Sequence, residues 1–580
     1  MTFHIHTKRS PLLALGLVAM LLLMARSGKA QAGQGSRPLI PRFSTAKAFD
    51  VSLPVRDLAW RVPSETTLLK FPPMRRPVGA DRGLGDDGAS QSGAPQSTVP
   101  GRGFAGDGAL QTGHARQATA LIPAPSLTFE GLANRDNLSL FGFQVSPPDP
   151  NGEVGPNHYV EMVNLTFAVY AKDGTRLLGP TSIGALWSGF AVDDCTDLSG
   201  DPVVLYDQLD DRWILTQLTT RGPTFFNCVA VSQTGDPTGA YFRYAFSTGE
   251  NFPDYPKYGV WPNAYFISTR EFAPDNSFAG DGAYALERAK MLAGDPSARM
   301  VKFLLPPGTT PYLPGDGLLP SDLDGTRMPP AGSPNYFVGT MDDGAGRGAP
   351  FDGINIFQFS LHWKSNPTAS FTLQAQLPVA QFDSIFPCKP PGSRNCIPQP
   401  GTTNKVDILS YRQRPTFRLA YRNFGTYEAL VTNQSVEALR GIAGVRWYEI
   451  RRVGGVFSLN QQGTYAPDDG VNRWMGSVAM DKQGNMVLGF SVSNATTVFP
   501  GIRYTGRLAG DTLGEMTLGE GVLINGSGSQ TVSARWGDYT DITVDPTDDC
   551  TFWYVNEYYQ VSSARGWQTR IGNFKLPGCQ

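Results

Sequence analysis

Glu557 and Tyr558 stand side by side in NEYY, and Arg535, Trp536 and Asp538 lie a short way upstream in RWGDY. A guanidinium can fork onto a carboxylate or phosphate, and an aromatic face can stack on a sugar ring. Glycoside hydrolysis needs only two carboxyl groups, or a Tyr nucleophile with a carboxylate, so Glu557, Tyr558 and Asp538 are the candidate catalytic groups. Signatures of stricter chemistries are missing: there is no G-x-S-x-G, no H-E-x-x-H and no P-loop. The repeat S-x-D-x-G-x-x-W is not intact anywhere, and of five histidines only His158 and His362 fall in the strand-rich region. Asp322 and Asp324 in SDLDG, and Asp149 with Asn151 in PPDPNGEVG, are oxygen donors of the kind calcium takes. Neither set has EF-hand spacing, so turn chemistry is the default, no cofactor is expected, and a structural calcium is the one cation considered.

The elements that would position these groups show as a repeat. VVLYDQLDDRWILTQL at Val203, VAMDKQGNMVLGFSV at Val478 and ITVDPTDDCTFWYVNE at Ile542 share one order: apolar strand, Asp, turn, Asp or Asn, apolar strand. Asp207, Asp481 and Asp545 fill one slot and Asp211, Asn485 and Asp549 the other, where side-chain oxygens satisfy turn backbone. Looser copies begin at Val154, Tyr258, Asn335 and Arg418. Seven units about 50 to 90 residues apart predict an all-β, seven-bladed β-propeller, with a six-bladed ring or a pair of β-sandwiches as the runner-up. The last unit shows three strands, so Leu127–Leu132 is expected to pair beside Thr569–Phe574 and close the edge. A propeller binds ligands at its channel mouth. Loops before the inner strands would bring Asp201, Arg473, Arg535 and Trp536 there, and loops after the second strands Arg270, Glu271, Asp342 and Gln434. The competing expectation makes Trp474 and Trp536 wedges between blades, and gives Arg473, Arg535 and Arg570 structural partners such as Asp538 or Glu557.

Composition fits this architecture. Of 580 residues, 65 are Gly and 46 Pro, aromatics make up 11% and charged residues only 17%. Many turn formers and few charges argue for short strands rather than a helical bundle. A net charge of -2 removes the electrostatic case for nucleic acid. Lys8 and Arg9 precede an apolar run from Pro11 to Met24 and then Ala30-Gln31-Ala32, which reads as a signal peptide over 1–32, too short to span a bilayer, where about 20 residues are needed. The protein is therefore expected outside the reducing cytosol, extracellular or periplasmic, with no membrane span after cleavage. Its six cysteines suggest disulfides there, and sequence proximity favours Cys195–Cys228, Cys388–Cys396 and Cys550–Cys579. Residues 33–125 are expected to be a largely disordered segment and linker, rich in Gly, Ala and Ser between Gly79 and Ala120. Within them AFDVSLPVRDLAW, from Ala48, could dock as a strand on the main domain, 126–580.

The motifs GDPVVLYDQLDDRW and VSQTGDPTGAY, then RLAYRNFG at Arg418, VRWYEIRR at Val445, RWMGSVAMD at Arg473, IRYTGR at Ile502, RWGDYTDITVDPTDDCTFWYVNEYY at Arg535 and TRIGNF at Thr569 occur in order. In these the chain, over roughly residues 130 to 580, resembles a family of secreted, propeller-like bacterial proteins without an assigned function. The resemblance implies a shared fold and secretion, and supplies no reaction. Two functions stay open: a secreted propeller that binds an extracellular glycan or protein at the channel mouth, or a sialidase-like or other carbohydrate-active hydrolase or lyase using Arg, Glu and Tyr.

Overall fold

Runs of alternating or wholly apolar residues, broken by Gly, Pro and Asp-rich turns, set the chain into short strands. The computed structural model describes residues 1, 38–58, 106–111, 121–307, 317–345, 349–384, 386, 388, 394–408 and 414–580. Residues 2–32 of the stretch read as a signal peptide, and most of the Gly79–Ala120 stretch read as a linker, lie outside the described residues. Pro38–Gln580 forms one compact unit, and it is all-β.

Among the described residues the strands make six sheets, built from seven antiparallel four-stranded meanders: 151–182, 204–249, 252–305, 319–378, 416–465, 472–526 and 541–575 with 127–133. The second and third each carry a fifth strand from the N-terminal region, Ala48–Val51 on Tyr241–Gly249 and Arg42–Thr45 on Arg299–Leu305. The AFDV segment thus docks as its pattern predicts. Arg42–Thr45 and residues 106–111, read from sequence as linker, also join the domain: Leu110 bridges to Thr464, and Asp107 meets the fully buried guanidinium of Arg446 at 2.6 Å. A buried cation needs such a partner, which draws this stretch of the linker onto the sheet. The fourth and fifth meanders share one sheet, because Leu319–Leu323 pairs in parallel with Thr416–Asn423.

The first strands of the meanders pack against one another in sequence. Asn151–Val154 touches Val204–Asp207, which touches Phe252–Trp261, and so on through Leu319–Leu323, Thr416–Asn423, Asn472–Met480 and Asp541–Val544. The last of these returns to Asn151–Val154.

The final sheet is completed as expected. Leu127–Ala133 lies antiparallel to Gln568–Lys575, with Leu127 opposite Asn573 and Glu130 opposite Arg570. The repeated Asp residues are turn formers: Asp207, Asp481 and Asp545 accept the N–H groups of Leu209, Gln483 and Thr547. Large aromatics fill the joints between meanders. Trp553 stacks on Tyr159 across the last and first meanders, and Trp474 lies 5.4 Å from Trp536 across the sixth and last. The three disulfides join the pairs that proximity favours. No helix among the described residues is long and apolar enough to cross a membrane.

Candidate functional site

The first strands start at one common end, and the residues just before or within their starts converge there. Asp149 precedes Asn151–Val154, Asp201 precedes Val204–Asp207, and Asp538 and Tyr539 precede Asp541–Val544. Tyr255 lies in a bulge of Phe252–Trp261, and Lys257 resumes the ladder just after it, opposite Ser268. Asp149, Asp201 and Tyr255 take left-handed backbone angles (φ 48°, 49° and 54°), which turn their side chains or amides off the regular strand path.

Hydrogen bonds link the four meanders. Asp149 accepts the Asp538 N–H at 2.7 Å and the Asn164 amide at 2.7 Å. Asn164 in turn accepts the Asp201 N–H at 2.9 Å, and Asp201 accepts the Tyr255 N–H at 3.3 Å. Tyr539 donates to the Pro202 carbonyl at 3.2 Å, and Tyr255 to the Asp538 carbonyl at 3.4 Å. The Lys257 ammonium lies between two rings, 3.5 Å from the centre of Tyr255 and 3.7 Å from that of Tyr539, and donates to the Pro256 carbonyl. Arg414 covers the Tyr255 ring at 3.7 Å. Arg535 pairs with Asp538 at 2.9 Å and lies 3.9 Å from Asp407.

Burial sets the proton affinities here. It lowers Lys257 to about 7, helped by Arg414 and opposed by Asp201, Asp538 and Asp149. It raises Asp149 well above the usual carboxylate range, with Asp538 and Asp201 adding to the effect. Glu557 rises in the same way: burial dominates, Asp149 and Asp538 reinforce it, and the Gly537 N–H and Arg535 oppose it. Its Oε1 accepts the Gly537 N–H. The cluster therefore combines two carboxyl groups whose proton affinity burial raises with an amine whose affinity it lowers to about 7, displacements of the kind proton transfer uses.

Further along the first strands a second charged group forms around one cation. Arg418 contacts Asp322 at 3.0 Å and also Asp324, while burial keeps Glu153 and Asp541, which also face it, well above the usual carboxylate range. Of the residues weighed for calcium, Asp322 and Asp324 meet Arg418, Asp149 accepts from Asn164 and Asp538, and Asn151 donates its amide to the Pro202 carbonyl and accepts the Val204 N–H.

Four of the sequence candidates come together: Asp201, Arg535, Asp538 and Glu557. Tyr558 does not join them, because neighbouring residues of a strand point to opposite faces. Its hydroxyl binds Glu130 of the closing strand at 2.9 Å, and the same carboxylate takes Arg570. Trp536 is a wedge between meanders, its indole N–H on Ser491 at 3.0 Å. Arg473 is sealed by Asp469 (2.8 Å) and Glu520 (2.7 Å). Arg270 pairs with Asp254, Glu271 with Lys302, Asp342 with Ser384, and Gln434 with the Tyr448 hydroxyl. Tyr255, Lys257, Tyr539 and Arg414 carry no sequence signal of a site beyond their position ahead of, or at the start of, an apolar strand, and Asp149 stands out in sequence only as an oxygen donor in PPDPNGEVG.

No family model matches the chain, and no curated protein does. Solved structures give distant similarities. A protein of unknown function from Dyadobacter fermentans has TM-score 0.33 and 10% identity, covering 74% of this chain and 94% of its own. The Trypanosoma rangeli sialidase in complex with sialic acid has TM-score 0.31 and 10% identity, with 65% and 54% covered. The α-L-arabinofuranosidase of Fusarium graminearum with arabinobiose has TM-score 0.27 and 7% identity, with 65% and 92% covered. Similarities of this size carry no argument about this chain's chemistry.

Proposed function

We propose that this chain is a secreted seven-bladed β-propeller that binds an extracellular glycan at the end of its channel where the first strands start. The closed succession of first strands supports the ring, and three disulfides with no free cysteine among the described residues support an oxidising compartment. One observation carries the binding reading: Asp149, Asp201, Asp538, Glu557, Lys257 and Arg535 gather around two tyrosine rings at a single end. Convergent polar groups at one end of a ring are what a ligand site uses, while the rings here hold the cations Lys257 and Arg414.

A second reading, cleavage of the bound glycan by hydrolysis or elimination, rests on the raised proton affinity of the buried Glu557 carboxyl and the Lys257 amine lowered to about 7. Glycan-array binding combined with turnover assays on pooled polysaccharides tests both. Binding without turnover supports the first reading alone. Turnover that Glu557→Gln abolishes while binding and folding persist establishes the second. Neither binding nor turnover across a broad panel overturns both.

A further inference from the structure

Glu161 sits where the strand Leu127–Ala133 meets the first and last meanders, and it is completely buried. Its Oε2 accepts the Leu132 N–H at 2.9 Å and the Tyr170 hydroxyl at 3.2 Å. Its Oε1 lies against the Thr569 hydroxyl, and that hydroxyl also reaches the Leu132 carbonyl at 2.9 Å. A hydroxyl has one hydrogen and cannot donate to both oxygens at once. Both contacts are satisfied together when Thr569 donates to Leu132 and the Glu161 carboxyl, carrying a proton, donates to Thr569. An ionised Glu161 would claim the Thr569 hydrogen and leave the Leu132 carbonyl without it.

The surroundings give an ionised carboxyl nothing further. Asp136 of the helix Asn134–Phe141 opposes charge there, Tyr170 and Tyr159 are neutral phenols, and the last meander presents only the uncharged Thr569. Arg570 and Glu130 pair with each other at a neighbouring ladder position. Burial pushes Glu161 up to about 7, within reach of ordinary solution conditions. The fit is close as well: a Cβ on Gly131 would come within 2.3 Å of the Thr569 hydroxyl and 2.6 Å of Glu161.

We infer that the Glu161 proton is a latch on the closing strand: while the carboxyl carries it, the Leu132 N–H and carbonyl and the Thr569 and Tyr170 hydroxyls are all bonded, and its loss loosens Leu127–Ala133 from the last sheet. The folded-state affinity is raised, so this stabilisation is complete below the unfolded value of 4.5 and is lost as pH rises through about 7. Asp149, Glu153, Asp541 and Glu557 are shifted the same way and add a slope to global stability, so the readout must be local.

Hydrogen exchange of the full chain between pH 5.5 and 8.5, corrected for intrinsic rates, supplies it, with Val204–Asp207 as internal reference. Exchange at 127–133 should accelerate at least about tenfold relative to the reference, the scale that a buried carboxyl shifted by more than one pH unit allows. Glu161→Gln reproduces the protonated bonding pattern, since its amide can donate to Thr569, and should hold that ratio within about threefold. Thr569→Ala should make the closing strand exchange fast already at pH 5.5. A wild-type ratio that does not change with pH, or an identical profile in Glu161→Gln, would overturn the latch.

Discussion

The closing seam and the Asp149–Asp201–Asp538 cluster both bury carboxyl groups against the last meander, and they handle them in opposite ways. At the seam Glu161 is surrounded by donors that are neutral, one from the strand that shuts the sheet, Leu132, and one each from the first and last meanders, Tyr170 and Thr569. At the cluster the carboxyl groups share space with Lys257, Arg414 and Arg535, and the hydrogen bonds run between meanders. The strand Thr551–Tyr558 serves both, sending Glu557 to the cluster and Tyr558 to the seam by simple alternation. A seam whose carboxyl groups each meet a few dedicated donors, Glu161 the Leu132 N–H and two hydroxyls, Glu130 the Arg570 guanidinium and the Tyr558 hydroxyl, holds strands together. Several buried carboxyl groups crowded with cations instead displace one another's proton affinities, which is the property chemistry needs.

The largest difference should come from the chain itself. Deleting residues 33 through 134 removes the strand that completes the last sheet, and the protein should fail to fold cooperatively. Deleting 33 through 58 strips only the outer strands of two meanders and should leave a folded domain with a lower Tm, measured by thermal circular dichroism. Equal melting of the two truncations would erase the special standing of the seam.

A smaller effect, at the cluster, is set by pH. The folded-state affinity of Lys257 is lowered from 10.5 to about 7, so the unfolded chain binds more protons between those values and stability climbs as pH rises through them. Lys257→Met should lose that climb, and below pH 7 it should be more stable than the wild type by on the order of a few kcal/mol. Urea unfolding at pH 6 and pH 9 measures both; parallel curves for the two proteins would mean that the ammonium is not penalised by its burial.

The smallest is Tyr558→Phe, which removes one hydroxyl bonded to Glu130 at the seam. It should cost about 1 kcal/mol of stability, and leave glycan binding unchanged, where Glu557→Gln alters the site. A binding defect in Tyr558→Phe with normal stability would move the boundary between the two regions.

How much of this was legible follows from what kind of information each feature needs. The closing strand could be read because a unit with three strands leaves an edge, and Leu127–Leu132 was the apolar run available to cover it. The disulfides followed from proximity, and Asp207, Asp481 and Asp545 from the chemistry of turns. Asp201, Arg535, Asp538 and Glu557 were reachable because loop position within a repeat maps to one end of the strands. Tyr255 and Lys257 were not, since their placement depends on a bulge and on left-handed backbone that no residue pattern marked, and Asp149 was legible only as an oxygen donor in a turn, not as a partner of Asp538. Nor was Asp107, whose partner Arg446 lies 339 residues away, inside a stretch whose composition read as linker. Tyr558 was misplaced by treating sequence neighbours as spatial neighbours within a strand.

The parallel ladder between Leu319–Leu323 and Thr416–Asn423 has a mechanical meaning. No other two meanders share a sheet among the described residues. The fourth and fifth are therefore welded into one plate by main-chain bonds, while their neighbours meet through side chains and isolated contacts, as hinged panels do. Thermal breathing of the domain should concentrate at the joints outside that plate and be least at the ladder between Leu319–Leu323 and Thr416–Asn423.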